Sequence, residues 1–297
     1  MICHKKSILC YNSFMYFGFH ASAAGGVQNA PLRAAQEGAE VFQFFSRSPR
    51  GGEAPKLTLN IISQWQKALR DNKIKATYIH APYYINFASA NNRIRFGSIS
   101  VIRDELERGS SLGVKAMMTH LGSAKDVGEK KGTAMVIEGL AKVLKGYRGK
   151  TKFLIENSAG SGEIIGDTFE EIAEIIKAVE KKLRKNDLIG VCLDTQHSFA
   201  SGYDLRGKKG VENVLKQFSK IIGLKRLVVI HANDSKVEFG KHVDRHEDIG
   251  QGKLGKETFA ALIKNSKLKS VDMILETPDT SAMTYAKTIT YFKKVRG

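Results

Sequence analysis

The chain has 297 residues with 42% apolar content, which suits one large α/β domain or two small ones. No run approaches the roughly 18 apolar residues that span a bilayer, and three cysteines, Cys3, Cys10 and Cys192, are too few for a disulfide framework and fit a reducing, cytoplasmic setting. An excess of 47 Lys+Arg over 30 Asp+Glu, a net charge of +17, favours a polyanionic partner such as nucleic acid or an anionic membrane surface.

Residues 1–14 open basic but contain no clean apolar region and no small-residue cleavage site. They are read as an extension outside the fold rather than a secretory signal, with Met15 a candidate functional start. Tyr16 to His20 is a short aromatic strand, and Asn29-Ala30-Pro31 starts a helix with Pro in its first turn. Ala39 to Phe45 is a second strand. Its exit loop, Ser46 to Gly52, is basic and carries Arg47 and Arg50, and a helix follows near Leu59 to Asn72. Ala76 to His80 is the third strand, left through Ala81-Pro82-Tyr83-Tyr84. A helix over Ser98 to Leu112 leads to the fourth strand, Val114 to His120, and one around Thr133 to Leu144 to the fifth, Thr151 to Glu156.

Asp167-Thr168-Phe169-Glu170 predicts a capping box with Asp167 as the cap, opening a helix whose Ile172, Ile175, Ile176 and Val179 share a face. Leu188 to Asp194, Leu227 to His231 and Val271 to Glu276 complete eight strands. Cys192, inside the sixth, reads as a buried thiol. Strand and helix alternate at the spacing of βα units, the strands are near-continuous apolar runs, and no linker divides the chain. The fold class is therefore α/β, a single-domain (β/α)₈ TIM barrel over residues 15–297. An open doubly wound sheet is the alternative, but it would want a Gly-rich phosphate loop after its first strand, and Gly18 with Gly25-Gly26 does not form one.

Strands three to eight end in His80, His120, Glu156, Asp194, His231 and Glu276. In a closed barrel those ends share one mouth. His197 lies just past strand six. A polar loop after strand seven, with Asp234, His242, Asp244 and His246, adds an Asp-x-His pair; by itself it also reads as a solvated His-rich loop. Gathering so many carboxylates and imidazoles without cations would be costly, because like charges repel and desolvation disfavours each ionised form. Histidine and carboxylate without cysteine suit zinc or manganese in an open catalytic site. Nine such residues exceed one four-coordinate ion, so two or three ions are implied, as multinuclear phosphoryl-transfer sites require.

The motifs F-G-F-H at Phe17, I-H-A-P-Y at His80, T-H-L-G at His120, I-E-N-S-A-G at Glu156, C-L-D-T-Q-H at Cys192, H-A-N-D-S-K at His231, D-R-H-E-D-I-G at Asp244 and L-E-T-P at Glu276 keep their order and spacing. Over essentially Met15 to the C-terminus, the sequence resembles the endonuclease IV family of zinc-dependent apurinic/apyrimidinic endonucleases. The departures are Leu121 for the usual Pro, Gln196 for a frequent Cys and Ser158 for a common Thr, and none removes a ligand.

The resemblance implies three zinc ions: one on His80, His120 and Glu156, one on Glu156, Asp194, His231 and Glu276, and one on His197, Asp244 and His246. It implies hydrolysis of the phosphodiester 5′ to an abasic site in double-stranded DNA, giving a 3′-hydroxyl and a 5′-deoxyribose phosphate, with cleaning of blocked 3′ ends. Glu156, Glu276 and Asp194 are the candidate catalytic carboxylates. By position and partly by resemblance, Arg47, Arg50 and Tyr83 are assigned to DNA contact and to insertion into the base stack. A monomer is expected, because a DNA-bending face needs free access. A two-metal sugar isomerase on the same barrel is the competing reading, but it leaves His197, Asp244, His246 and the net charge of +17 without a role. A non-catalytic DNA-binding barrel would not need an open polynuclear site.

Overall fold

In Val41-Phe42-Gln43-Phe44, side chains alternate between two apolar environments, as a strand buried on both faces requires. Phe42 and Phe44 pack outward on helices, while Val41 faces a separate interior cluster with Tyr78, Ala116, Met118, Leu154, Cys192, Val229 and Ile274. The computed structural model describes residues 14–280 and 283–297. Among these residues, no helix is long and apolar enough to cross a membrane. The expected extension over 1–14 lies, apart from Phe14, outside the described residues, as do Cys3 and Cys10.

In chain order, β1 is Phe17–His20, α1 Ala30–Gln36, β2 Val41–Phe44, α2 Leu59–Asp71, β3 Ala76–His80, α3 Asn92–Leu112, β4 Ala116–Thr119, α4 Glu129–Leu144 and β5 Lys152–Glu156. There follow α5 Phe169–Leu183, β6 Ile189–Asp194, α6 Thr195–Ala200, α7 Gly207–Ile221, β7 Leu227–His231, β8 Asp234–Ser235, β9 His246–Glu247, α8 Lys256–Lys264, β10 Asp272–Leu275 and α9 Tyr285–Arg296. The strands β1-β10-β7-β6-β5-β4-β3-β2 close into a parallel barrel, the expected TIM-barrel architecture. Gly18 permits the closest β1–β2 approach: a Cβ there would lie 1.7 Å from the Val41 carbonyl oxygen.

Outward residues such as Phe17, Phe153, Leu193 and Met273 join the apolar faces of the helices in one large core, with Trp65, Leu106, Ile172, Phe218, Phe259 and Phe292 contributed from the helical layer. Burial of this layer fixes the helices to the barrel wall, since each apolar face has no other surface to cover.

Two local expectations are corrected. The cap of α5 is Thr168, not Asp167: the Thr168 side chain accepts from the Glu171 N–H, and Glu171 reaches back to the Gly166 N–H. The side-chain cap is thus one residue later, on a Thr-x-x-Glu pattern, with the return bond made to Gly166 instead of to the cap residue. Helix α3 starts at Asn92 rather than Ser98, because the Asn91 side chain accepts from the Arg93 and Ile94 amides.

Candidate metal centre

The period-2 alternation that sends Val41, Tyr78, Leu154, Cys192, Val229 and Ile274 inward sends the next residue but one inward as well. At the strand ends those residues are Gln43, His80, Glu156, Asp194, His231 and Glu276. His20, at the end of β1, and His120, just past the end of β4, complete a ring to which every barrel strand contributes.

Glu156, fully buried on β5, is the centre of the ring. Its Oε2 lies 3.0 Å from His80 Nε2 and 3.6 Å from His120 Nε2, and its Oε1 lies 2.8 Å from His231 Nδ1. His231 Nδ1 is also 3.1 Å from Glu276 Oε2. Asp194 has two tasks. Its Oδ1 caps α6 through the His197 N–H at 2.8 Å, fixing where His197 projects, and its Oδ2 lies 3.8 Å from His246 Nε2. The short β8–β9 ladder pairs Ser235 with His246, which returns the loop to the mouth. There Asp244, at the rim, places its two oxygens 3.3 Å from His197 Nε2 and 3.2 Å from His246 Nε2.

Each imidazole is also held from behind. His80 Nδ1 faces the Ala81 carbonyl at 2.7 Å, His197 Nδ1 the Asn157 carbonyl at 3.0 Å, and His246 Nδ1 the Glu276 carbonyl at 3.1 Å. A carbonyl only accepts, so Nδ1 carries the hydrogen in all three and Nε2 is left as the inward donor atom. His120 Nδ1 lies 3.4 Å from the Ser158 hydroxyl. Imidazoles oriented by an outer hydrogen bond in this way are characteristic of metal ligation.

Without cations the cluster is electrostatically tense. Burial opposes protonation of His197, but the carboxylates of Asp194 and Asp244 overcome it and raise its pKa to about 10. His246 is pushed up to about 9, burial again being outweighed, here first by its bond to Asp244. Although burial works the other way, Glu156 and Glu276 are held well below the usual carboxylate range, chiefly by the charge of His231. Protons on imidazole are thus standing in for other cations. Three sets of donor atoms each converge within 4.8 Å: His80, His120 and Glu156; Glu156, Asp194, His231 and Glu276; and Asp194, His197 and His246. The residues present therefore fit divalent ions bound by nitrogen and oxygen. Cys192 lies just below, also within reach of Glu156 and His231, but burial pushes its thiol up to about 12.

The DNA-contact candidates fare unequally. Arg47 is buried, with ion pairs to Asp104 and Glu105, so its guanidinium is committed to α3 rather than offered to a phosphate. Arg50 is exposed on the same loop. Tyr83 is 73% exposed and overhangs the mouth, its ring 5.3 Å from Phe45 and 6.4 Å from His80. Asp234, part of the predicted ligand-bearing loop, instead accepts from the amides of Gly250, Gly252, Leu254 and Gly255 and so holds that loop in place.

Sequence reading passes over His20, Gln43, Asn157 and Asn233. Asn233 donates to Asp194 Oδ2 at 2.6 Å and accepts from the Glu276 N–H at 2.8 Å, and Asn157 accepts from the Asp194 N–H at 2.7 Å. A signal exists for one of them: His20 ends the first strand, as the ligand-type residues end the later six.

Residues 31–295 match the model of the xylose isomerase-like TIM barrel family. The chain is 38% identical over 268 residues to "Probable endonuclease 4" of Aquifex aeolicus, covering 90% of this chain and 93% of that one. It is 36% identical over 269 residues to the protein of the same name from Cenarchaeum symbiosum, covering 89% and 93%. The crystal structure of endonuclease IV from Thermus thermophilus superposes with a TM-score of 0.82 at 31% identity, covering 94% of this chain and 98% of that one. A D-tagatose 3-epimerase-like protein shares the fold alone, with a TM-score of 0.68 at 20% identity, covering 95% and 98%.

Proposed function

Since the chain belongs to the endonuclease IV family, within the xylose isomerase-like TIM barrels, we propose that it is a metal-dependent endonuclease that hydrolyses the phosphodiester 5′ to abasic sites in double-stranded DNA. The single observation that carries this reading is the convergence of His80, His120, Glu156, Asp194, His197, His231, His246 and Glu276 into three adjoining donor sets, with Asp244 on the rim. The products are a 3′-hydroxyl and a 5′-deoxyribose phosphate. The same chemistry would clean blocked 3′ ends.

His80, His120 and Glu156 would hold one zinc, Glu156, Asp194, His231 and Glu276 a second, and His197, Asp244 and His246 a third, with manganese able to replace zinc at some positions. When bound, such ions lower the pKa of water from 15.7 to about 7 and neutralise charge on the phosphate oxygens. The chain's own residues do the rest. Glu276 would take the proton of the attacking water; in support, its side chain keeps 18% exposure, whereas Glu156 has none and both its oxygens face imidazoles. Asp194 is fully buried, fixed by Asn233 and by α6, and acts as a ligand.

The cluster lies at the bottom of the mouth, so an abasic nucleotide must leave the duplex to reach it, and lost stacking makes that extrusion cheaper than for a normal base. Tyr83, exposed at the rim, is positioned to fill the gap left behind, and Arg50 to contact a phosphate. The excess of positive charge would strengthen binding through phosphate neutralisation.

A duplex carrying one tetrahydrofuran abasic analogue tests the reading. Incision on its 5′ side, abolished by EDTA and restored by zinc, is expected. An uncut duplex together with conversion of a ketose would favour a sugar isomerase, and a mobility shift without cutting a pure binder.

A further inference from the structure

We propose that Gln43 is a positioning residue that selects the ligating tautomer of His231 and aims the Glu276 carboxylate at the same ion. Gln43, fully buried on β2, touches three residues of the ring. Its Nε2 lies 2.7 Å from Glu276 Oε1 and 3.0 Å from His20 Nδ1, and its Oε1 lies 2.8 Å from His231 Nε2. These contacts admit one assignment. An ionised carboxylate only accepts, so the amide nitrogen must face Glu276, and the amide oxygen then faces His231. An amide oxygen also only accepts, so His231 Nε2 must carry the hydrogen. The lone pair of His231 is thereby placed on Nδ1, the atom that lies 2.8 Å from Glu156 Oε1 and 3.1 Å from Glu276 Oε2.

Backbone carbonyls do the same for His80, His197 and His246. His231 differs because a side chain performs the task, so it can be removed by substitution. The second hydrogen of the Gln43 amide goes to His20 Nδ1, which makes His20 an acceptor there. One side chain thus connects β1, β2, β7 and β10 behind the site shared by His231 and Glu276. The inference rests on the metal-site reading above.

The test uses the full-length protein loaded with zinc. In the wild type, long-range proton–nitrogen correlation spectra of ring-labelled histidine should show His231 with hydrogen on Nε2 and metal on Nδ1; hydrogen on Nδ1 would overturn the proposal. In Q43M, similar in size but without an amide, one of the bound ions should be stripped by a graded chelator about 10- to 100-fold more easily, while the others follow the wild-type curve. A curve identical to the wild type, or parallel loss of every ion from a folded protein, would overturn it.

Q43E separates the two contacts: it keeps an acceptor for His231 Nε2, so the tautomer should persist. A changed tautomer in Q43E would also count against the proposal. Should Q43M fail to fold, the wild-type spectrum and Q43E still decide. Failure here leaves wild-type zinc binding and incision intact, whereas failure of the functional reading would appear as a wild type that binds no zinc.

Discussion

At the floor of the barrel, the buried carboxylate of Asp272 has everything it needs within the chain. Oδ1 accepts from the Tyr16 N–H at 3.1 Å, and Oδ2 accepts from the Tyr78 hydroxyl and from Lys115 Nζ at 2.9 Å. At the mouth, Glu156, Asp194, Asp244 and Glu276 crowd together, and among the described residues their ion-pair partners are all imidazoles. The same cylinder thus contains a carboxylate neutralised by its own lysine and hydrogen-bonded by its own tyrosine, and a set that has no such partners. A buried charge kept for structure has a permanent partner, as at the floor. A set of buried charges whose only counter-charges are exchangeable protons is prepared for cations from solution.

Substitutions at the two ends should therefore separate. The largest effect is expected at the mouth, where Glu156→Gln removes the carboxylate common to two donor sets. Incision of an abasic duplex should fall by about 10³-fold or more, since several kcal/mol of charge stabilisation depends on the ions, and elemental analysis should show fewer ions. Arg47→Ala should instead act on stability. Among the described residues it leaves Glu105 with Ser46 and Arg108, and it should cost roughly 3 kcal/mol, the low end for breaking a buried pair, in denaturant titration. The salt slope of DNA binding should not change. Asp272→Ala at the floor should cost about 1–3 kcal/mol by stranding the buried Tyr78 hydroxyl, with metal content unchanged; loss of metal there would erase the contrast between the two ends.

The protons at the mouth predict a pH dependence. His197 and His246 have folded-state pKa values raised to about 10 and about 9. In the metal-free protein their contribution to stability is complete below the unfolded value near 6.5 and is lost as pH rises through about 9 to 10. Metal ions bound there would replace those protons, so the melting temperature of the loaded protein should lack this alkaline decline. The smallest effect is expected from Arg50→Ala, which should lower the salt slope of duplex binding by about one and weaken all duplexes alike.

Much of the fold is legible in the sequence because strands buried on both faces are apolar throughout, and because ligand-type residues interrupt the pattern only where strands end. The six ligand-type residues from His80 to Glu276 stand out for that reason. Gln43 does not, since a lone amide inside an apolar strand carries no metal-ligand chemistry, and its neighbours His231 and Glu276 are 188 and 233 residues away. Only closure of the barrel brings them together. Arg47 misleads for the opposite reason: a basic loop beside Ser and Pro suggests a free cation, but its partner Glu105 is on a helix 58 residues later.

Metal content is the most direct test of a mouth built for cations, measured by elemental analysis of freshly purified, fully folded protein. About three divalent transition-metal ions per chain are predicted. Fewer than two, under conditions in which the protein incises abasic DNA, would contradict the multinuclear site.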